Sequence, residues 1–154
     1  MALLIDTDLL IDLERGDATA DVERLLGDED RALSVITVSE LLHGVNRAQG
    51  AIRARRRAFV EHVLAGIEAI PITEPVARVH ADIWADLSAR GEAIGAHDLW
   101  IAATALAHGL GVATRNTTHF QRIDGLRIVT TTGPDAQPPQ TIRRGQDPSP
   151  HRAR

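Results

Sequence analysis

A chain of 154 residues, 44% apolar and 25% charged, has the make-up of one globular domain with a sizeable core. It contains no cysteine, which excludes disulfides, thiolate metal sites and cysteine nucleophiles and fits a cytoplasmic protein. The net charge of −4 excludes a generally basic nucleic-acid binder, no apolar run is long enough to span a membrane, and the start Met-Ala-Leu-Leu-Ile-Asp lacks the basic region of a signal peptide.

Residues 2–5 form a short apolar run that ends in Asp6 and reads as a buried strand. Thr7 and Asp8 then open a helix that Gly16 stops, and a second short helix is predicted over 21–26. Residues 32–36 are the next strand-like run. Thr37 with Glu40 three residues on matches a capping box at the start of the following helix. A helix over 53–66 begins with Arg53, Arg55, Arg56 and Arg57, read as a solvated face rather than an RNA patch. A third strand is predicted over 67–72. Pro75 suits the first turn of the next helix, whose Val76, Val79, Ile83 and Leu87 are spaced for one buried face. Between Gly91 and Gly95 lies a loop. Then Asp98 opens an Ala-rich helix with Leu99, Ala103, Leu106 and Leu110 as its stripe. Strands are predicted over 111–114 and 126–131, with Asn116 just after the first of them. From Gly133 onward the chain holds five of its seven prolines, so 133–154 reads as a disordered tail and 1–132 as the folded domain.

Strands alternating with helices predict an α/β/α three-layer domain on a mainly parallel sheet. Ligands of such folds gather at the carboxyl ends of the strands. Asp6 ends the first strand, Glu40 lies past the second, and Asn116 lies past the fourth. Asp98 opens the helix that feeds the fourth strand. All four converge on one rim. Three carboxylates and an amide make an oxygen-rich anionic site that suits magnesium or manganese. A cation relieves their mutual repulsion and can hold a phosphodiester beside an attacking water. Each residue also has a purely structural reading: Asp6 and Asp98 as helix caps, Glu40 as half of the capping box, Asn116 as a turn residue. The structural reading is the stronger for each residue alone, and four such residues on one rim are harder to dismiss.

Other residues rank lower. Asp8 and Asp12 read as exposed positions of the first helix, with Asp8 near enough to support the rim. Thr114 needs no role beyond ending a strand, although it could position a water. His97 and His119 lie beside the site, and Trp84 and Trp100 read as packing residues rather than base-stacking platforms.

The segments Leu4-Ile5-Asp6-Thr7-Asp8, Ser39-Glu40-Leu41-Leu42-His43-Gly44, His97-Asp98-Leu99-Trp100-Ile101-Ala102-Ala103 and Ala113-Thr114-Arg115-Asn116-Thr117-Thr118-His119-Phe120 occur in the order found in PIN-domain ribonucleases. More narrowly, residues 2–131 resemble the VapC toxins of type II toxin–antitoxin systems. The resemblance implies magnesium-dependent cleavage of RNA, usually tRNA or ribosomal RNA, by metal-activated water. It implies that Asp6, Glu40 and Asp98 are the acidic metal-site residues, with Asp6 and Asp98 the most direct ligands. Asn116 fills a position where the family places Asp or Asn. The family's frequent acidic residue before the last Phe is His119 here, which leaves that corner of the site without a carboxylate.

The resemblance further implies a homodimer and a small VapB-type antitoxin laid over the acidic groove. Residues 133–154 carry a local +2, which leaves −6 on the body, a complement to a basic inhibitory segment. Two other readings are a non-catalytic PIN-like module that binds RNA or protein, kept open by Asn116 and His119, and a structure-specific DNA nuclease, disfavoured by the absence of a large insertion.

Overall fold

The computed structural model of the chain describes residues 2–16, 23, 24 and 26–130. In chain order its elements are β1 (Leu3–Ile5), α1 (Thr7–Arg15), β2 (Arg31–Ser34), α2 (Val35–Arg47), α3 (Gly50–Gly66) and β3 (Glu68–Ile70). They continue with α4 (Glu74–Ala89), α5 (Ala96–Ala107), β4 (Gly111–Ala113), α6 (Thr117–Phe120) and β5 (Ile128–Val129). The short helix predicted over 21–26 lies mostly outside the described residues, and the tail over 133–154 lies wholly outside them.

The strands make one parallel sheet in the order β3-β2-β1-β4-β5. β1 is central: Leu4 sits opposite Ala32 on one side and Val112 on the other. Alternate residues of each strand face opposite layers. Leu3, Ile5, Leu33 and Ala113 pack with Leu9, Leu10, Leu41, Val45 and Val60 from α1, α2 and α3. Leu4, Ala32 and Val112 pack with Val76, Ile83, Leu99, Ile101 and Phe120 from α4, α5 and α6. Helices therefore cover both faces, so the strands appear in the sequence as apolar runs rather than as alternating patterns. This is the α/β/α layering expected above.

The strand order reverses between β1 and β4. That gap is the crevice where ligands of doubly wound sheets bind. Two boundaries differ from expectation in ways that matter there. The strand predicted over 32–36 stops at Ser34, because the Ser34 hydroxyl accepts the Ile36 N–H at 3.2 Å and starts α2 early. Val35 and Ile36 are good strand formers by type, and the cap overrides that preference. The predicted Thr37–Glu40 capping box therefore does not form: Thr37 is buried inside α2, and Glu40 projects from the helix interior.

The second difference concerns α5. It is buried from Leu99 through Ala105 apart from Trp100, rather than along one stripe. Its small side chains let it pack closely under β1 and against α4. Ile101 is wholly buried. Ile101→Ala is expected to cost about 2–5 kcal/mol of unfolding free energy in a denaturant titration.

Candidate active site

The rim is built from the ends of β1 and β4. Asp6 follows β1 as the N-cap of α1. Its Oδ1 accepts the Thr7 N–H at 2.8 Å, and its Oδ2 accepts the Thr114 hydroxyl at 2.7 Å. Thr114 follows β4, and the register that sets Ile5 opposite Ala113 brings the two side chains together. Asp6 is buried. Its pKa is pushed from 3.8 up to about 7, by burial first and by the neighbouring Asp8 second, with Asp98 adding to the effect.

Asp8 is not an exposed helix position. Its Oδ2 accepts the Arg115 N–H at 2.9 Å and the Thr114 hydroxyl at 3.3 Å. Its Oδ1 is buried and has no hydrogen-bond partner among the described residues. Burial raises the pKa of Asp8 also, against the opposing Arg115 N–H. Asp12, one turn further along α1, is buried too and pairs with Arg115.

Glu40 reaches the same rim from α2. The Thr7 hydroxyl donates to its Oε2, and His97 Nδ1 lies 2.8 Å from its Oε1. Asp98 lies in the first turn of α5, where Gly95 rather than Asp98 is the N-cap. Its Oδ2 accepts Asn116 Nδ2–H at 3.3 Å and lies 2.7 Å from His119 Nδ1. Asn116 occupies the N-cap position of α6 without a side-chain capping bond, which leaves its amide for Asp98.

Asp6, Glu40, Asp98 and Asn116 thus line one open groove of about 680 Å³, together with Asp8 and His97. Thr7 and Thr114 orient the carboxylates, a role that the sequence does not indicate. Their hydroxyls become meaningful only once the strand register is known. Trp100 packs as expected, its ring stacked on His80 at 3.7 Å, whereas Trp84 is exposed.

The donors fit a hard divalent cation. They are all oxygens, Asp6 carries an unfavourable buried charge that a cation would relieve, and Asp8 Oδ1 lacks a partner. Among the described residues no three acidic or histidine side chains converge on one point.

A parallel α/β sheet whose switch-point groove is floored by carboxylates is suited to metal-assisted hydrolysis of an anionic substrate. The family profile of the PIN domain matches residues 3–126. The chain is 36% identical over 136 residues to the ribonuclease VapC1 of Rickettsia felis, across 88% of this chain and all of that one. It is 35% identical over 130 residues to the toxin FitB of Neisseria gonorrhoeae, across 79% of this chain and 93% of the relative. The crystal structure of DNA-bound VapBC from Salmonella typhimurium is similar at a TM-score of 0.74 and 27% identity, across 84% of this chain and 98% of that one. The chain belongs to the PIN-domain family and, within it, to the VapC ribonucleases of type II toxin–antitoxin systems. It is an enzyme of a nuclease family that is generally metal-dependent, so the reading as a non-catalytic module falls away.

The raised pKa of Asp6 has a measurable consequence in metal-free protein. The folded chain holds this proton up to about pH 7, while an unfolded Asp releases it near 3.8. The Asp6 contribution therefore lowers stability as pH rises between those two values and is constant above them. Thermal melts in EDTA are expected to show wild type losing stability relative to Asp6→Asn across this window. A divalent cation should recover the difference at neutral pH.

Proposed function

We propose that this chain is the toxin of its system by hydrolysing phosphodiester bonds of RNA at the Asp6–Asp98 groove, with magnesium as the cation and manganese as a substitute. The observation that carries this reading is the meeting of Asp6, Glu40, Asp98 and Asn116, from four separate elements, in one groove at the sheet's switch point. Asp6 and Asp98 would hold the ion, and Glu40 would complete its surroundings directly or through water. A cation bound there supplies Lewis-acid charge to the scissile phosphate and its attacking water.

The protein's own groups do the positioning. Thr7 N–H and the Thr114 hydroxyl lock Asp6 in one orientation. Asn116 and His119 lock Asp98. Glu40 would help to activate the attacking water, and His97 Nδ1, 2.8 Å from its Oε1, holds its carboxylate in place. Asn116 orients the substrate or a water through its amide. The substrate class is a tRNA or ribosomal RNA. Support for tRNA comes from a relative of Shigella flexneri, 28% identical over 128 residues, named a tRNA(fMet)-specific endonuclease.

A VapB-type antitoxin is the inhibitory partner, supported by solved relatives that are toxin–antitoxin complexes. A cytoplasmic homodimer is part of the same proposal and follows from the family resemblance alone. No helix among the described residues is long and apolar enough to cross a membrane. Purified protein is expected to cleave RNA with magnesium and to stop on addition of EDTA. Asp98→Asn should lower the rate by about 100-fold or more, since even groups that only orient metal ligands contribute 10–100-fold. Magnesium-independent cleavage, or an unimpaired Asp98→Asn, would overturn the assignment.

A further inference from the structure

We infer that Arg115 is a substrate-positioning residue that docks a phosphate of the RNA strand beside the scissile one, and that buried Asp12 exists to aim it; this rests on the ribonuclease reading above. The groove is lined by carboxylates from Asp6, Asp8, Glu40 and Asp98, so an RNA strand entering it needs a cation of the protein's own nearby. Arg115 stands directly before Asn116, at the carboxyl end of β4. Its backbone N–H donates to Asp8 Oδ2 at 2.9 Å, which ties its main chain to the floor of the groove.

The side chain is held in an asymmetric way. Arg115 Nε lies 2.9 Å from Asp12 Oδ2, with Arg115 53% exposed and Asp12 only 6% exposed. Neither terminal nitrogen of the guanidinium donates a hydrogen bond among the described residues. Asp12 lies nearest the Nε side of the fork, and the terminal nitrogens are donors in the planar geometry that matches a phosphate. Asp8 and Asp12 are four residues apart on α1, about 6 Å along the helix, so the guanidinium at Asp12 is offset from the groove-lining Asp8 that holds the Arg115 N–H. That offset places the cation beside the reaction centre rather than in it.

A purely structural account makes Arg115 the counter-ion of Asp12. Asp12, however, has no side-chain partner among the described residues other than Arg115. A buried carboxylate that binds nothing else adds little to the fold, because its desolvation offsets the attraction. A rigid acid behind a half-exposed guanidinium is instead an arrangement that fixes the direction of a ligand-binding cation. The two accounts predict opposite signs for one variant. Asp12→Asn removes a negative charge near the RNA path, so binding should strengthen or stay level if Arg115 is only a counter-ion. Binding should weaken if Asp12 aims Arg115.

The test uses the full chain with a labelled single-stranded oligoribonucleotide of mixed sequence, binding measured in EDTA over a salt series, and cleavage of total tRNA measured with magnesium. Arg115→Gln is expected to weaken binding about tenfold and to reduce the salt-dependence slope by about 0.7–1. KM should rise while kcat stays near wild type. Arg115→Lys should recover part of the affinity, and Asp12→Asn should weaken binding with the slope retained. The double variant Asp12→Asn/Arg115→Gln removes the unpaired buried acid, so it reports the loss of the cation even if Arg115→Gln folds poorly. Wild-type affinity and slope in Arg115→Gln or in the double variant, or unchanged or tighter binding by Asp12→Asn, would overturn the inference. A wild type that neither binds nor cuts RNA would instead strike at the ribonuclease reading itself.

Discussion

The site depends on one buried carboxylate at the end of the central strand. Asp6 is withdrawn from water, fixed by the Thr7 N–H and the Thr114 hydroxyl, and crowded by Asp8 and Asp98. Burial and like charge both disfavour its ionised form, and two hydrogen bonds do not offset them, so its pKa stands at about 7. A fold that seeks stability alone has no use for such a group. A fold that must present a carboxylate to a cation does, because the site is then shaped and dehydrated before the ion arrives.

The rest of the architecture keeps that carboxylate in place. The β1–β4 register brings Thr114 to Asp6, and Thr114 also reaches Asp8. Close packing of α5 beneath β1 sets the first turn that carries Asp98. Early termination of β2 at Ser34 turns α2 so that Glu40 projects toward Thr7 and His97. Each carboxylate therefore comes from a rigid element end, and its rotamer is held by a neighbour from another element.

Much of this was legible in the sequence, for an identifiable reason. Asp6, Glu40, Asp98 and Asn116 follow or precede apolar runs, and parallel α/β topology sends such positions to one rim. What was not legible depends on register and on competition between local preferences. Asp12 looked exposed because helical spacing alone does not reveal that Arg115, more than a hundred residues away, covers it. The Thr37–Glu40 capping box matched a pattern, but the Ser34 cap three residues earlier won. Asp98 looked like an N-cap, whereas Gly95 takes that position and leaves the carboxylate free for Asn116 and His119. The carboxylate-holding roles of Thr7 and Thr114 are not legible in the sequence, since a hydroxyl acquires its partner only from the register that folding delivers.

The most direct measurement of the central claim is proton release on metal binding. Calorimetric titration with manganese, in buffers of different ionisation enthalpy, counts the protons displaced. With Asp6 titrating at about 7, binding is predicted to release about one proton at about pH 6 and almost none at about pH 8, and Asp6→Asn should abolish that pH dependence. Metal binding without pH-dependent proton release, or release that persists in Asp6→Asn, would contradict the assignment of Asp6 as the buried carboxylate on which the site is built.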